Sequence, residues 1–356
     1  MAFSADELSN IANAALDFYI EKGKVFSSTI QDKPLLAALD AKAKTFPGGK
    51  GAVSLGVKGQ YDSSLAGYTH NDTVSYVNPA KIKRASYNWK EHHIGIGVSL
   101  TELKRDGITV VDSLNSESMK ENRGREQTAL ANLLEDKLED MAEGYARGMN
   151  GFLWGDGTAD ADALAGIRAF VRDDPVGTAA QTVGGIDQNA AANSWWRNRV
   201  NLAITTTATG DELMQEMNAE FRQLKRYGGS PDLALCGSDW MERLEKELRA
   251  RGYFSQSGFT RGADIKVGDI TFGGVVFKYD PSMDDIGTSL GGATDYTKRC
   301  FIVDTSKLSL YYMEGEKMKK HSPARPYDQY VFYKALTTTG VLAAKQLNCH
   351  GVYQFS

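Results

Sequence analysis

The sequence predicts an α+β fold built around a long β-ribbon, and three observations carry that expectation. Val53, Leu55 and Val57 alternate with small or polar residues, and Ala85, Tyr87 and Trp89, then Ile94, Ile96, Val98 and Leu100, do the same. A period of two is the mark of a strand. Between these stretches, Tyr61 to Ala80 is rich in Gly, Ser, Thr, Asn and Asp, which suits a wide polar tip. Directly after the ribbon, the strongest helical pattern in the chain covers residues 116–149.

The ribbon, residues 50–100, reads as two antiparallel strands. The change of parity between Trp89 and Ile94, across Glu91-His92-His93, implies a bulge that bends it. The sequence gives this arm almost nothing of its own to bury in. A lone two-stranded ribbon is marginal in water and a bare strand edge invites other chains, so it gains most by lying on a neighbouring subunit. Ahead of it, residues 5–22 form an amphipathic helix pattern, with Leu8, Ile11, Ala15, Phe18 and Tyr19 on one face and a Ser4/Glu7 capping box. Such an arm either packs on its own core or reaches a neighbour. Pro34 and the turn Phe46 to Gly51 separate it from the ribbon.

In the helix, Leu130, Leu134, Leu138, Met141, Tyr145 and Met149 form one apolar stripe, with Glu135, Asp136, Glu139, Asp140 and Glu143 around it. At 1.5 Å per residue it would be roughly 50 Å long, a spine rather than a compact-domain helix. Residues 155–192 read as loop. From 197 to 315 the pattern is mixed: helices over 211–227 and 238–251, and strands over 233–236, 269–279, 300–304 and 308–313. Residues 329–354 read as a long hairpin turning near Thr339-Gly340.

With 356 residues, 42% of them hydrophobic, the chain can bury a sizeable core in two or more domains. A net charge of −4 gives no electrostatic case for gripping nucleic acid. Cys236, Cys300 and Cys349 are widely separated, the pattern of free thiols in a reducing compartment. The first ten residues carry Asp6 and Glu7 and lack a signal pattern. No apolar run approaches the ~20 residues that cross a bilayer. A soluble chain made in the cytoplasm, without a membrane partner, is expected.

No motif for catalysis or cofactor binding is present. Gly48-Gly49-Lys50-Gly51 has the wrong spacing for a phosphate loop, and no GxGxxG, GxSxG or HExxH occurs. Adjacent His92 and His93 point to opposite faces of a strand. Asp156, Asp160 and Asp162 lack the glycine and distal glutamate of a calcium loop and read as a polar turn. Lys317, Lys319, Lys320, His321 and Arg325 form the one basic cluster. It is a solvated loop, a contact to an acidic neighbour such as the spine helix, or, lacking interleaved aromatics, least of all a nucleic-acid contact. Trp195-Trp196 reads as the anchor of a junction rather than a ligand pocket. The expectation is no enzyme and no cofactor.

Four stretches resemble coat sequences of tailed bacteriophages: Thr45 to Gly51, Leu133 to Leu138, Gly185-Ile186-Asp187 followed by Trp195 to Asn198, and Tyr311 to Glu316 continuing through Gln329-Tyr330. In this order they are similar to the major capsid proteins of the Hong Kong 97 phage-type fold. The resemblance implies an N-terminal arm (1–49), an extended E-loop ribbon (50–100), a peripheral domain with the spine helix (101–185 and 318–356) and an axial domain (186–317). It implies pentamers and hexamers of an icosahedral virion shell around double-stranded DNA, held without sequence-specific binding and assembled in the host cytoplasm. A portal protein, a separate scaffolding protein (no long helical extension precedes the arm) and an optional decoration protein are the implied partners. No motif carries over the Lys–Asn cross-link of the type member, so non-covalent locking is expected. Contacts between subunits are expected at Tyr61, Tyr68, Lys81 and Trp89 on the ribbon. Glu135 and Glu139 on the helix and Lys319, Lys320 and Arg325 in the basic cluster complete the set. The alternatives are a bacterial nanocompartment shell of the same fold and a soluble α/β enzyme built on residues 197–315.

Overall fold

Residues 3–4, 32–48, 51–59, 65–74, 76, 82–99, 101, 110–111, 123–158, 160–177, 182–207, 210–250, 270–289, 296–321 and 331–356 are described in the computed structural model. In chain order the elements are β1 (Phe3–Ser4), α1 (Pro34–Ala41), β2 (Lys44–Phe46), β3 (Ala52–Lys58), β4 (Ile82–Asn88), β5 (Lys90–Ser99), β6 (Val110–Val111), α2 (Arg123–Trp154), α3 (Ile167–Phe170), β7 (Thr182–Val183), β8 (Ile186–Asp187), a 3-10 turn (Ala191–Trp196) and β9 (Arg199–Ile204). They continue with α4 (Glu212–Lys225), β10 (Leu233–Cys236), α5 (Ser238–Ala250), β11 (Ile270–Phe272), β12 (Val275–Tyr279), α6 (Pro281–Ser289), β13 (Arg299–Val303), β14 (Leu308–Met313), β15 (Lys319–His321), β16 (Val331–Ala344) and β17 (Gly351–Phe355). The chain divides into two units: residues 1–31, 91–151 and 313–339, and residues 32–90, 152–312 and 340–356.

The second unit is organised by a six-stranded mixed sheet in the order β11-β12-β10-β13-β17-β9. Its two middle strands, Leu233–Cys236 and Arg299–Val303, are buried along their whole length, as expected for strands covered on both faces. One face is closed by Leu213, Met217, Phe221 and Leu224 of α4 and by Trp240, Leu244 and Leu248 of α5. Each such side chain contributes about 1.5–3 kcal/mol on full burial. Two buried carboxylates are answered in kind. Glu247 of α5 accepts from the Met214 backbone N–H at 3.0 Å, satisfying a donor at the start of α4, and pairs with Arg243 at 2.8 Å. Glu220 receives Arg199 through two nitrogens at 3.0 and 2.7 Å and the Tyr353 hydroxyl at 3.0 Å.

In the first unit, Leu138 and Met141 of the spine helix pack with Leu336, and Ile94, Ile96 and Met318 close the cluster. Tyr145 donates its hydroxyl to Thr338 at 3.0 Å. No helix among the described residues is long and apolar enough to cross a membrane.

Several boundaries differ from expectation for physical reasons. The hairpin of the ribbon is β3 with β4 only, in register from Ala52↔Asn88 to Lys58↔Ile82. At Trp89 the chain does not bulge but leaves the hairpin, and β5 pairs with β16 in another sheet. The spine helix runs five residues beyond Met149, because Leu153 and Trp154 continue the buried stripe; residues 112–122 lie outside the described residues. Residues 34–46 were expected within an arm, but Leu35, Leu36 and Leu39 of α1 are buried in the core and the exposed Lys42 pairs with Asp232 at 2.5 Å. The amphipathic pattern at 5–22 lies outside the described residues.

The expected C-terminal hairpin is absent. β16 runs straight through Thr339-Gly340, where a Cβ on Gly340 would lie 3.3 Å from the Tyr311 carbonyl and the Tyr312 ring. Glycine there serves close approach to β14, not a turn. The chain reverses only after Ala344, and β17 then enters the six-stranded sheet between β13 and β9, so residues 351–355 pair with the strands expected in the axial domain. β9 and α6 were not anticipated. α6 had a readable signal: Asp280 accepts from the Ser282 N–H at 2.9 Å just ahead of Pro281, an N-cap followed by proline at the first helical position.

Candidate assembly surface

The ribbon is anchored at its base. Val53, Leu55, Val57, Ala85 and Tyr87 share one face of the β3–β4 pair, and Val53, Val57, Ala85 and Tyr87 are buried. What covers them comes from the segment read as loop. There β7 and β8 form a two-residue hairpin through Gly184 and Gly185, at φ +60° and +79°, as a type I′ turn requires. A Cβ on Gly184 would stand 2.9 Å from the Tyr87 ring and 3.0 Å from Ala85. The Ser86 N–H donates to the Gly184 carbonyl at 2.9 Å. The Tyr87 ring lies 5.6 Å from Phe170 and its hydroxyl donates to the Ala344 carbonyl at 3.0 Å.

The 3-10 turn completes the seat. Trp196 is buried with its Nε1 donating to the Val183 carbonyl at 3.1 Å. Trp195 packs edge-on against Trp196 at 5.5 Å and fills the space any side chain at residue 59 would need. Lys83 donates to Asn193. The paired tryptophans thus anchor a junction, and the ribbon base buries itself in its own subunit, contrary to the expectation from sequence.

The tip is different. Leu65, Tyr68, Val74, Tyr76 and Ile82 are 104%, 71%, 50%, 93% and 72% exposed, five of the eight large apolar side chains exposed among the described residues. Single exposed apolar residues are ordinary, but here they are concentrated within 18 residues. A turn organises it: the Thr69 N–H donates to Asp72 Oδ2 at 2.7 Å and the Asp72 N–H to the Thr69 carbonyl at 2.8 Å.

Of the other expected contact residues, Trp89 is half-buried at the end of the hairpin, its ring 6.2 Å from Phe46. Lys319 and Lys320 are exposed on β15, the last strand of its sheet, and Lys319 pairs with Glu316 of its own turn at 2.5 Å. Glu135 and Glu139 lie on α2, but their side chains are outside the described residues, as are Tyr61, Lys81 and Arg325 entirely. Sequence reasoning missed Leu65, Val74, Tyr76 and Ile82; an apolar residue isolated in a polar stretch was the available signal.

Among the described residues no three His, Cys, Asp or Glu side chains converge on a metal-sized space. Asp156 accepts from the Thr158 N–H and hydroxyl at 3.0 and 2.7 Å and Asp160 from the Asp162 N–H at 3.1 Å, so these carboxylates close their own turns. The tip presents apolar side chains among its described residues.

The family model described as SU10 major capsid protein matches residues 96–354. The chain belongs to the SU10 major capsid protein family. It is thus a structural component of a phage head, a shell built from copies of itself, and the family favours this reading over a nanocompartment shell or an enzyme. Solved structures agree on the fold. The capsid asymmetric unit of cyanophage A-1(L) is 15% identical with a TM-score of 0.62, over 91% of this chain and 93% of that one. The structure from Mycobacterium phage Bobi is 11% identical with a TM-score of 0.51, over 90% of each chain. No curated protein sequence matches. The mixed helix-and-sheet architecture is the Hong Kong 97 phage-type fold.

Proposed function

We propose that this SU10-family major capsid protein assembles as pentamers and hexamers into an icosahedral head enclosing double-stranded DNA, each ribbon tip lying on a neighbouring subunit. The observation that supports the reading is the contrast within one element, a base locked into its own subunit and a tip that exposes Leu65, Tyr68, Val74, Tyr76 and Ile82. An anchored base holds both strands of the ribbon in its own subunit, which lowers the ordering cost of docking the tip. Burial contributes about 25 cal/mol per Å² of apolar surface, and repetition around a closed shell makes individually weak contacts collectively firm.

In this reading the β3–β4 ribbon is the E-loop, α2 the spine of the peripheral domain, and the six-stranded sheet the body of the axial domain, whose tips meet at capsomer centres. Glu135 and Glu139 of one subunit meet the Lys319, Lys320 and Arg325 cluster of the next, while Tyr61 and Lys81 belong to the ribbon contact. A separate scaffolding protein guides assembly in the host cytoplasm, a portal protein occupies one vertex, and a decoration protein is an optional reinforcement. DNA is enclosed without sequence-specific contacts, in keeping with a net charge of −4.

The test is deletion of residues 60–80. Subunits should stay folded by circular dichroism yet yield no stable shells in negative-stain electron micrographs of cells co-expressing the neighbouring head genes. Normal, stable particles from the deletion would overturn the proposal.

A further inference from the structure

Cys236 and Cys300 are far apart in sequence but directly opposite each other on β10 and β13. Their Sγ atoms are 3.3 Å apart and both side chains are fully buried. The neighbouring backbone bonds define the kind of pair. The Cys236 carbonyl accepts from the Asp280 N–H at 3.0 Å, on the β12 side, and the Gly237 N–H donates to the Arg299 carbonyl at 3.0 Å. Cys236 and Cys300 are therefore a non-hydrogen-bonded pair of the β10–β13 ladder, where Cα atoms approach to about 4.5 Å. That is the short end of the span a disulfide bridges, about 4.4–6.8 Å. Cys349 has no such partner: its sulfur faces the Gln346 carbonyl at 3.7 Å and His350 at 3.6 Å.

We propose that Cys236 and Cys300 are an oxidisable pair that closes into an intrachain disulfide across the middle of the six-stranded sheet. With hydrogen peroxide as oxidant, one thiol loses its proton and its thiolate attacks a peroxide oxygen. The O–O bond breaks and, with a proton taken up, water leaves a sulfenic acid behind. The second thiol then attacks that sulfur, the S–O bond breaks and a second water departs. Two thiols and one peroxide become one disulfide and two waters. Peroxide is small enough to enter through brief openings of the sheet, whereas a bulky disulfide oxidant is not. The product ties strands 64 residues apart in sequence, so it acts as a staple in an oxidising medium. A strong dithiol returns it to the thiols by exchange.

The full-length folded chain is treated with hydrogen peroxide, quenched with catalase, unfolded, alkylated and weighed. The expected product has lost 2 Da and takes one alkyl group instead of three. Peptide mapping joins the Cys236 and Cys300 peptides, and dithiothreitol restores all three thiols. Cys349→Ser should keep the 2 Da loss and Cys236→Ser should abolish it. Should Cys236→Ser fail to fold, the wild-type chain and Cys349→Ser decide alone. Three alkylatable cysteines after peroxide, oxygen adducts on single cysteines without a bridge, a bridge through Cys349, or a bridge formed only in urea would each overturn the proposal.

Discussion

The Tyr87 hydroxyl donates to the Ala344 carbonyl across 3.0 Å, tying the ribbon's second strand to the last residue of β16. Burial is the main reason its phenol is held far above the usual range, so it remains a donor at every physiological pH. Tyr87→Phe should lower subunit stability by about 1 kcal/mol, the value of one net hydrogen bond. Tyr87→Ala, which also empties the space beside Phe170, should cost about 3–5 kcal/mol. Urea denaturation of unassembled subunits measures both. Equal losses from the two variants would show that the ring contributes nothing.

The hairpin beneath the ribbon distinguishes its two glycines. Gly184→Ala combines a left-handed backbone, costing roughly 1–2 kcal/mol, with a Cβ 2.9 Å from the Tyr87 ring. Gly185 has open space around its Cβ, and asparagine tolerates its φ. Gly184→Ala should lower the thermal midpoint by about 2 °C or more, while Gly185→Asn should leave it nearly unchanged. Calorimetry on both variants checks the order, which sequence alone cannot supply.

His350 makes stability depend on pH. It is fully buried, with Nδ1 accepting from the Asp304 N–H at 3.1 Å. Burial pushes its pKa down to about 4, against the opposing pull of Asp304 and Asp232. The unfolded chain takes this proton near pH 6.5. Above 6.5 both states are neutral and the residue is silent. As pH falls from 6.5 towards 4 the unfolded state is favoured, by about 3 kcal/mol in all. His350→Asn keeps an acceptor but cannot titrate, so the urea midpoint of wild type should fall more steeply over this window. Parallel slopes for the two proteins would contradict the assignment.

The tip and the base should respond oppositely to mutation. Leu65→Ser, Tyr68→Ser and Tyr76→Ser together remove exposed side chains, so subunit stability should move by no more than about 0.5 kcal/mol. Shell yield should nevertheless fall, by about tenfold for each 1.4 kcal/mol lost from the contact. Sucrose-gradient sedimentation of co-expressed particles separates the two effects.

Local patterns were readable where local forces decide. The alternation at Val53 to Val57, the stripe through Met141, Tyr145 and Met149 and the apolar run Leu233 to Cys236 each report burial along one element, and each element formed. What was not readable depends on partners distant in sequence. Nothing near Trp89 says that β5 will prefer β16 to β3, and nothing near Gly340 says that Tyr311 and Tyr312 will press against it. The ribbon's seat was invisible for the same reason, because Phe170, Gly184 and Trp195 lie in a stretch whose turn residues disguise a platform. At the tip, Tyr76 and Ile82 failed to register because pattern reading looks for periodicity, and a contact surface has none.

The place of β17 between β13 and β9 also sets a timetable. β9 ends at Ile204 and must wait for Gly351–Phe355 before it has a partner in the sheet, a delay of about 150 residues. At 5–20 residues per second that is on the order of ten seconds of translation during which the sheet has a gap and bare edges. A nascent or truncated chain therefore has no finished body: β9 stays unpaired and β13 keeps a bare edge until synthesis has reached residue 355.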